Sequence, residues 1–209
     1  MAKKRGTRNW MQEHVNDPYV KRAQVDGYRS RATYKLLELD ERHRLLKPGM
    51  TVVDLGAAPG GWSQIAAPRV APGGRVIALD RLEMAPIDGV TILEVDFEEE
   101  AGLQALLDAL PDGRADLVLS DMAPNISGVR GSDQIRAIAL AELALDLTVQ
   151  ILGPGGALVV KLFHGEGFDD WVALARKRFG KVAVRKPEAS RPRSREVYAV
   201  AEDFRGDRS

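Results

Sequence analysis

The sequence has 209 residues, of which 44% are hydrophobic and 29% charged, and its 30 basic residues balance its 30 acidic ones. This composition is typical of a globular domain with a full core, and we expect neither a secretory signal nor a membrane span, since no apolar run approaches the roughly 20 residues that a span needs. The absence of cysteine excludes disulfides, thiolate metal sites and cysteine nucleophiles, and the expected compartment is the cytoplasm.

The chain begins with a basic extension, residues 1–29, which we predict to be an RNA-binding segment. Residues 1–9 are expected to be disordered, and a short helix is predicted over residues 10–25. Aromatic residues stand among the basic ones, which favours RNA because bases stack on aromatic rings. These residues are Trp10, Tyr19, Tyr28 and Tyr34.

Residues 30–209 are predicted to form a single domain in which helices alternate with strands. The predicted elements are helix 31–46, strand 51–55, helix 61–70, strands 75–79 and 90–95, helix 98–110, strand 116–120, helix 133–152, strand 157–163, helix 168–179, and strands 181–185 and 196–201. This alternation predicts a Rossmann-like α/β fold: a doubly wound, mostly parallel seven-stranded sheet with helices on both faces. The last two strands are predicted as an antiparallel pair that provides one antiparallel edge strand. The glycine-rich stretch 153–156 is predicted as a turn.

Basic charge is concentrated near both ends of the chain. Residues 1–35 carry nine Lys/Arg and three Asp/Glu, and residues 176–195 carry nine Lys/Arg and one acidic residue. If the two segments meet on one face, they form a surface for phosphate backbones. The alternative is two separately solvated segments. The same choice applies to Arg191, Arg193 and Arg195, which we interpret as a phosphate-binding loop.

The most informative segment, residues 51–62, reads T-V-V-D-L-G-A-A-P-G-G-W. A strand runs into an acidic residue and a glycine-rich turn, which lets a ligand approach the backbone because no Cβ is in the way. The turn lacks both G-x-G-x-x-G and the Lys-Ser/Thr pair of a phosphate-binding loop, which disfavours an NAD-linked oxidoreductase. The pattern favours a ligand with an adenosine and no phosphates, and S-adenosylmethionine fits that description.

An aspartate follows or closes each of the first four predicted strands. They are Asp54, Asp80, Asp96 and Asp121. A single aspartate there is usually a cap or turn residue, but the carboxyl ends of parallel strands meet at one edge of a sheet. Asp80 stands about 20 residues beyond the glycine turn, where a ribose-binding acid is expected. Asp96 is in place to accept from the adenine amine, and a sulfonium cation is attracted by all four carboxylates.

Five segments together resemble the FtsJ/RrmJ family, the bacterial heat-shock ribosomal RNA 2′-O-ribose methyltransferases. The segments occur in family order over nearly the whole chain. They are S-R-A-T-Y-K-L (30–36), V-D-L-G-A-A-P-G-G-W-S-Q (53–64), S-D-M-A-P-N (120–125), G-E-G-F (165–168) and S-R-E-V-Y (194–198).

The resemblance implies a monomeric enzyme that uses S-adenosylmethionine, needs no metal, and methylates a ribose 2′-hydroxyl of large-subunit ribosomal RNA, with a uridine as the expected target. It implies a catalytic tetrad of Lys35, Asp121, Lys161 and Glu196. The implied cofactor-binding residues are Gly60, Trp62, Asp80, Asp96 and Asp121. His164 departs from the glutamine that we expect there, and nothing is carried over for residues 126–134.

Two lysines suit this chemistry because a ribose hydroxyl must lose its proton as it attacks the methyl group. A neutral lysine amine can take that proton, and burial together with a second cation favours the neutral form. We interpret Lys161 as the general base, Asp121 and Lys35 as the groups that position it and the hydroxyl, and Glu196 as support for the lysines.

Simpler interpretations exist for each residue of the tetrad taken alone. Lys161 is then a solvated strand end, Lys35 a surface residue of a helix, and Glu196 a surface ion-pair partner. Their occurrence together with the glycine turn favours the enzyme. The alternatives left open are a non-catalytic RNA-binding ribosome-assembly factor on the same fold and a 2′-O-methyltransferase that acts on transfer RNA or the messenger RNA cap.

Overall fold

The computed structural model describes residues 17–124 and 127–206. The helices among them are α1 (Pro18–Asp26), α2 (Thr33–His43), α3 (Gly61–Val70), α4 (Glu100–Ala109), α5 (Arg130–Ile151) and α6 (Phe168–Arg178). The strands are β1 (Thr51–Leu55), β2 (Arg75–Asp80), β3 (Val90–Glu94), β4 (Ala115–Ser120), β5 (Leu152–Phe163), β6 (Phe179–Arg185) and β7 (Glu196–Phe204). The predicted disorder of residues 1–9, and the part of the predicted helix 10–25 that precedes Asp17, lie outside the described residues.

The strands form one seven-stranded sheet in the order β3-β2-β1-β4-β5-β7-β6. Strands β1 to β5 are parallel to one another, whereas β7 runs antiparallel to both of its neighbours, β5 and β6. The predicted α/β class is confirmed, as is the antiparallel pair at one edge. The strand that runs opposite to all the others is β7, and it is not the edge strand that was predicted, because β7 inserts between β5 and β6 and leaves β6 at the edge.

Helices cover both faces of the sheet, so its central strands are apolar on both sides, as parallel strands in doubly wound folds usually are. On one face α4, α5 and α6 pack against the sheet. On the other face α2 and α3 supply Leu36, Leu39, Trp62 and Ile65. This second face brings α2 next to the glycine turn that opens α3.

The predicted helix 31–46 is too long at its carboxyl end. Helix α2 ends at His43, because Arg44 adopts a left-handed backbone with φ of 53°. Leu45 and Leu46 are nevertheless buried. Their apolar side chains continue the helical pattern in the sequence although the backbone has left the helix.

The glycine-rich stretch 153–156, predicted as a turn, lies inside β5. Leu152 pairs with Ala115, and Ala157 is the next residue to pair, with Leu117 on the same strand. The four residues between the two pairs form an irregularity in the ladder, and the strand resumes its regular pairing beyond them.

Candidate active site

The four predicted tetrad residues come from four different elements and meet at one edge of the sheet. Lys35 lies on α2, Asp121 directly follows β4, Lys161 lies on β5, and Glu196 is the first residue of β7. The carboxyl ends of β4 and β5 are at this edge. The amino end of β7 joins them there because β7 runs the other way.

The tetrad forms two ion pairs. Lys161 Nζ lies 2.9 Å from Asp121 Oδ1 and also donates to the backbone oxygen of Asp121 at 2.5 Å. Lys35 Nζ lies 2.7 Å from Glu196 Oε1. Lys35 is 6% exposed and Lys161 8%. Neither lysine is therefore a solvated surface residue, and each has the carboxylate that a buried ammonium requires.

Tyr198 joins the two ion pairs and was not among the predicted site residues. Its hydroxyl accepts from Lys35 Nζ at 3.0 Å and donates to Asp121 Oδ1 at 2.5 Å. Tyr198 also stands opposite Lys161 in the β5–β7 ladder. The sequence could have indicated Tyr198 as a site residue, because it lies two residues after Glu196 and residues i and i+2 of a strand share a face.

The surroundings of Asp121 and Tyr198 decide the protonation states of these two residues. Burial alone would raise the pKa of Asp121, but the ammonium groups of Lys161 and Lys35 and the hydrogen bond from Tyr198 outweigh it and lower that pKa below its ordinary value. Burial, reinforced by the charges of Asp121 and Glu196, raises the pKa of Tyr198 well above its ordinary value. Asp121 is therefore an anionic acceptor and Tyr198 a neutral donor at neutral pH.

The glycine turn leads from β1 into α3 and is fastened to the end of β2. The amides of Gly56 and Ala57 donate to Leu79 O at 2.9 and 3.0 Å, and the amide of Ala58 donates to Asp80 Oδ2 at 2.9 Å. Gly56 has φ of 68°. A Cβ at Gly56 would collide with the Met122 side chain, so this position requires glycine for space as well as for conformation.

A cavity of about 140 Å³ lies between the turn and the tetrad, lined among others by Asp54, Trp62 and Asp121. Asp54 is 1% exposed, and its Oδ2 accepts from the Ser63 hydroxyl at 2.7 Å. Burial raises the pKa of Asp54 to about 7, partly opposed by the Ser63 hydrogen bond. Asp54 was one of the four strand-end aspartates but was not in the predicted tetrad or among the predicted cofactor-binding residues, and its position makes it a second residue to add to the site.

Of the other predicted cofactor residues, Trp62 is in the lining of this cavity, whereas Gly60, Asp80 and Asp96 are not. Trp62 lines it and is held by a 2.8 Å hydrogen bond from its Nε1 to Ala32 O. Asp80 borders the glycine turn through Ala58. Asp96 lies past the end of β3, 3.5 Å from Arg81 Nη1. Gly60 caps the amino end of α3 with φ of 101°. Their contacts with a cofactor stay a prediction.

The described part of the first basic segment, residues 17–35, meets the second, residues 176–195, beside the site. This is the first of the two arrangements that were considered from the sequence. The Asp17 carboxylate pairs with Arg31 Nε at 3.2 Å and with Arg191 Nε at 3.3 Å. Arg31 also donates to Ala189 O at 2.5 Å. Helix α1, the start of α2 and the β6–β7 loop are thereby held together. Arg191 is used in this contact, whereas the side chains of Arg193 and Arg195 are exposed.

Among residues 17–124 and 127–206, no group of three His, Cys, Asp or Glu side chains is arranged to hold a metal ion. Within the same ranges, every helix is too short or too polar to cross a membrane.

Replacing Tyr198 with Phe should destabilise the fold. The change removes a buried hydrogen bond to a charged carboxylate, so the free energy of unfolding should fall by about 1.5–3 kcal/mol, as measured by urea denaturation. Tyr28→Phe is the matched control, since Tyr28 packs against the Tyr34 ring, and a half-exposed tyrosine should change stability by about 0.5 kcal/mol or less. Equal stabilities of the two variants would show that the Tyr198 hydroxyl does not hold the network together.

The sequence is similar to known methyltransferases. A family model described as FtsJ-like methyltransferase matches residues 28–204. Two curated relatives carry the name ribosomal RNA large subunit methyltransferase E. The one from Pseudomonas aeruginosa strain PAO1 is 56% identical over 207 residues, which cover 99% of this chain and 100% of the relative. The one from Alkalilimnicola ehrlichii is 58% identical over 199 residues, which cover 95% of both chains.

A solved structure supports the same assignment. The crystal structure of a protein named as a ribosomal RNA methyltransferase from Plasmodium falciparum has a TM-score of 0.77 to this fold at 29% identity, and the match covers 86% of this chain and 100% of that one. The resemblance drawn from the five sequence segments is confirmed. The chain belongs to the FtsJ-like methyltransferase family.

Proposed function

We propose that this protein transfers a methyl group from S-adenosylmethionine to a ribose 2′-hydroxyl of large-subunit ribosomal RNA, with a uridine as the target and Lys161 as the general base. The observation that carries the proposal is the pair of buried, carboxylate-bound lysines beside the cavity at the glycine turn. The relatives named as large-subunit methyltransferases support the RNA substrate. We further propose that the enzyme acts as a cytoplasmic monomer.

The hydrogen bonds of Lys161 suit a base. The Lys161 ammonium must first lose a proton to solvent; the amine that results has two N–H donors and one lone pair, and Asp121 offers two acceptors, its Oδ1 and its backbone oxygen. The lone pair then remains for the proton of the 2′-hydroxyl. Lys35 is also bound to two acceptors but reaches Asp121 only through Tyr198. We therefore assign Lys161 as the base, and Lys35 with Glu196 as the pair that holds Tyr198 and Asp121 in place.

The residues around the cavity fit S-adenosylmethionine. When bound, this cofactor supplies an electrophilic methyl group on a sulfonium cation. The carboxylates of Asp54, which is buried, and of Asp121, which is partly buried, line the cavity and match a positively charged group. Asp80 lies at the end of β2, the neighbour of β1, and has the acceptor oxygens that ribose hydroxyls need. Asp96 follows the next strand, β3, and would accept from the adenine amine of the cofactor.

Replacing Lys161 with Ala should abolish most methyl transfer while binding persists. Single-turnover transfer to large-subunit RNA should fall by roughly 10²–10⁴-fold, the usual range for a lost acid–base group. Affinity for S-adenosylmethionine, measured by calorimetry, should stay near the wild-type value. Lys161→Arg should not restore the rate, because a guanidinium stays protonated.

The control for this experiment is Lys47→Ala, which removes an exposed lysine between α2 and β1 and should transfer at the wild-type rate. Full activity of Lys161→Arg would mean that Lys161 acts through its positive charge and that the base lies elsewhere. A wild-type protein that binds RNA and transfers no methyl group to it would favour the non-catalytic assembly factor.

We propose that RNA binds to the face where the two basic segments meet, with residues 1–29 as the RNA-binding extension and the exposed Arg193 and Arg195 contacting phosphates.

Replacing both Arg193 and Arg195 with Ala should weaken RNA binding and reduce the slope of log K against log salt by about 0.7–0.9 per lost phosphate contact. The measurement is a filter-binding titration at several salt concentrations. Arg75→Ala, an exposed arginine at the amino end of β2, should leave the slope unchanged. An unaltered slope in the double variant would exclude the loop from the interface.

Cofactor affinity should depend on pH through Asp54. Below its pKa of about 7 the carboxyl is neutral, and above it the anion attracts the cationic cofactor. Affinity should therefore rise with pH by up to about tenfold per unit below pH 7 and then level off, tenfold being the limit for one released proton. Asp54→Asn should bind more weakly at pH 8 and lose this dependence, which calorimetry at a series of pH values can measure. Identical pH profiles for the wild type and the variant would remove Asp54 from the cofactor site.

A further inference from the structure

The loop between β2 and β3, residues 81–89, lies against the outer side of the glycine turn. Met84 is 8% exposed and packs with Ala57 of the turn and Ala78 of β2. A Cβ at Gly60 would lie 2.8 Å from Ile87 Cδ1 and 2.9 Å from Met84 Sδ. The glycine at position 60 thus makes room for the protein's own loop.

Arg29 connects this loop to the turn through backbone oxygens alone. Its Nη1 donates to Pro59 O at 3.2 Å and to Ala85 O at 2.7 Å, and its Nη2 donates to Pro86 O at 2.7 Å. One guanidinium therefore joins the glycine turn to the β2–β3 loop. We call this set of three hydrogen bonds the Arg29 bridge.

The Arg29 bridge is itself fixed to α3. The Arg29 amide donates to Gln64 Oε1 at 3.0 Å, and Gln64 Nε2 donates to Gly27 O at 2.9 Å. The guanidinium thus extends from a backbone that cannot shift independently of α3, whose first turn follows directly from the glycine turn.

The predicted ribose-binding carboxylate lies between the two segments that the Arg29 bridge joins. Asp80 Oδ2 accepts from the Ala58 amide of the turn, and Asp80 Oδ1 accepts from the Leu82 amide of the loop, each at 2.9 Å. If the loop moves away from the turn, the Leu82 amide moves with it, whereas the Ala58 amide stays with the turn. The orientation of the Asp80 carboxylate therefore depends on the contact between loop and turn.

We infer that Arg29 is a positioning residue for cofactor binding: it holds the β2–β3 loop on the glycine turn and thereby fixes Asp80 for the ribose of S-adenosylmethionine. This inference rests on the proposed function. A planar guanidinium reaches three carbonyl oxygens on two segments at once, whereas a lysine ammonium at the end of a flexible stem does not reproduce that geometry. The bridge acts through Asp80 and touches neither lysine of the tetrad, so it governs retention of the cofactor and not the transfer step.

The test compares Arg29→Ala and Arg29→Lys with the wild type. For Arg29→Ala we expect S-adenosylmethionine to bind about tenfold or more weakly by calorimetry, the effect of losing charge-assisted hydrogen bonds. The KM for the cofactor should rise by a similar factor, while kcat at saturating cofactor and saturating RNA stays within about twofold. The backbone amides of residues 82–85 and of Ile87 should exchange hydrogen faster in the variant without cofactor, a readout that needs no activity.

Arg29→Lys keeps the charge and should bind within about threefold of the Ala variant, because a single ammonium does not span both segments. The matched control is Arg69→Ala, which removes an arginine from the far end of α3 where it pairs with Asp40, and it should bind as the wild type does. Wild-type affinity in Arg29→Ala, or full recovery in Arg29→Lys, would overturn the inference. A wild-type protein that does not bind S-adenosylmethionine would instead overturn the proposed function, and the inference with it.

Discussion

A single carboxylate oxygen, Asp121 Oδ1, organises the site. It accepts from the Tyr198 hydroxyl at 2.5 Å and lies 2.9 Å from Lys161 Nζ. Through Tyr198 it is connected to Lys35 and hence to Glu196. The result is a row of alternating charges with a neutral hydroxyl at its centre. Each buried ammonium has a carboxylate on one side and a hydrogen-bond acceptor on the other, which is the condition under which buried charges are tolerated.

Those parts of the structure that depend on local pattern could be predicted from the sequence. Strand β1 and helix α3 have the predicted bounds, because an apolar run ends in glycines there and a helix follows at once. The tetrad was implied by the family resemblance, and the parallel strand ends account only for Asp121 and Lys161 at this edge. The carboxyl end of α2 could not be predicted from the apolar pattern, because Leu45 and Leu46 are buried although they lie outside the helix.

Contacts that depend on strand order or on backbone oxygens could not be predicted in this way. Tyr198 reaches Asp121 because β7 inserts between β5 and β6, and nothing in the local sequence of β7 specifies its neighbours. Arg29 binds three carbonyl oxygens, and every residue type offers one. No residue pattern marks such acceptors. The role of the glycine at position 60 was likewise hidden, because its neighbours come from a loop more than 20 residues away in the chain.

The position of β7 has a consequence for how the protein is made. Synthesis runs from the amino end, so β7 leaves the ribosome after both of the strands between which it lies. A nascent chain that has not reached Glu196 lacks the acceptor of Lys35 and the hydroxyl that joins Lys35 to Asp121. Its β5 also has one edge without hydrogen bonds. The lysine network therefore cannot close before β7 has been made, and a product truncated before Glu196 cannot assemble the site.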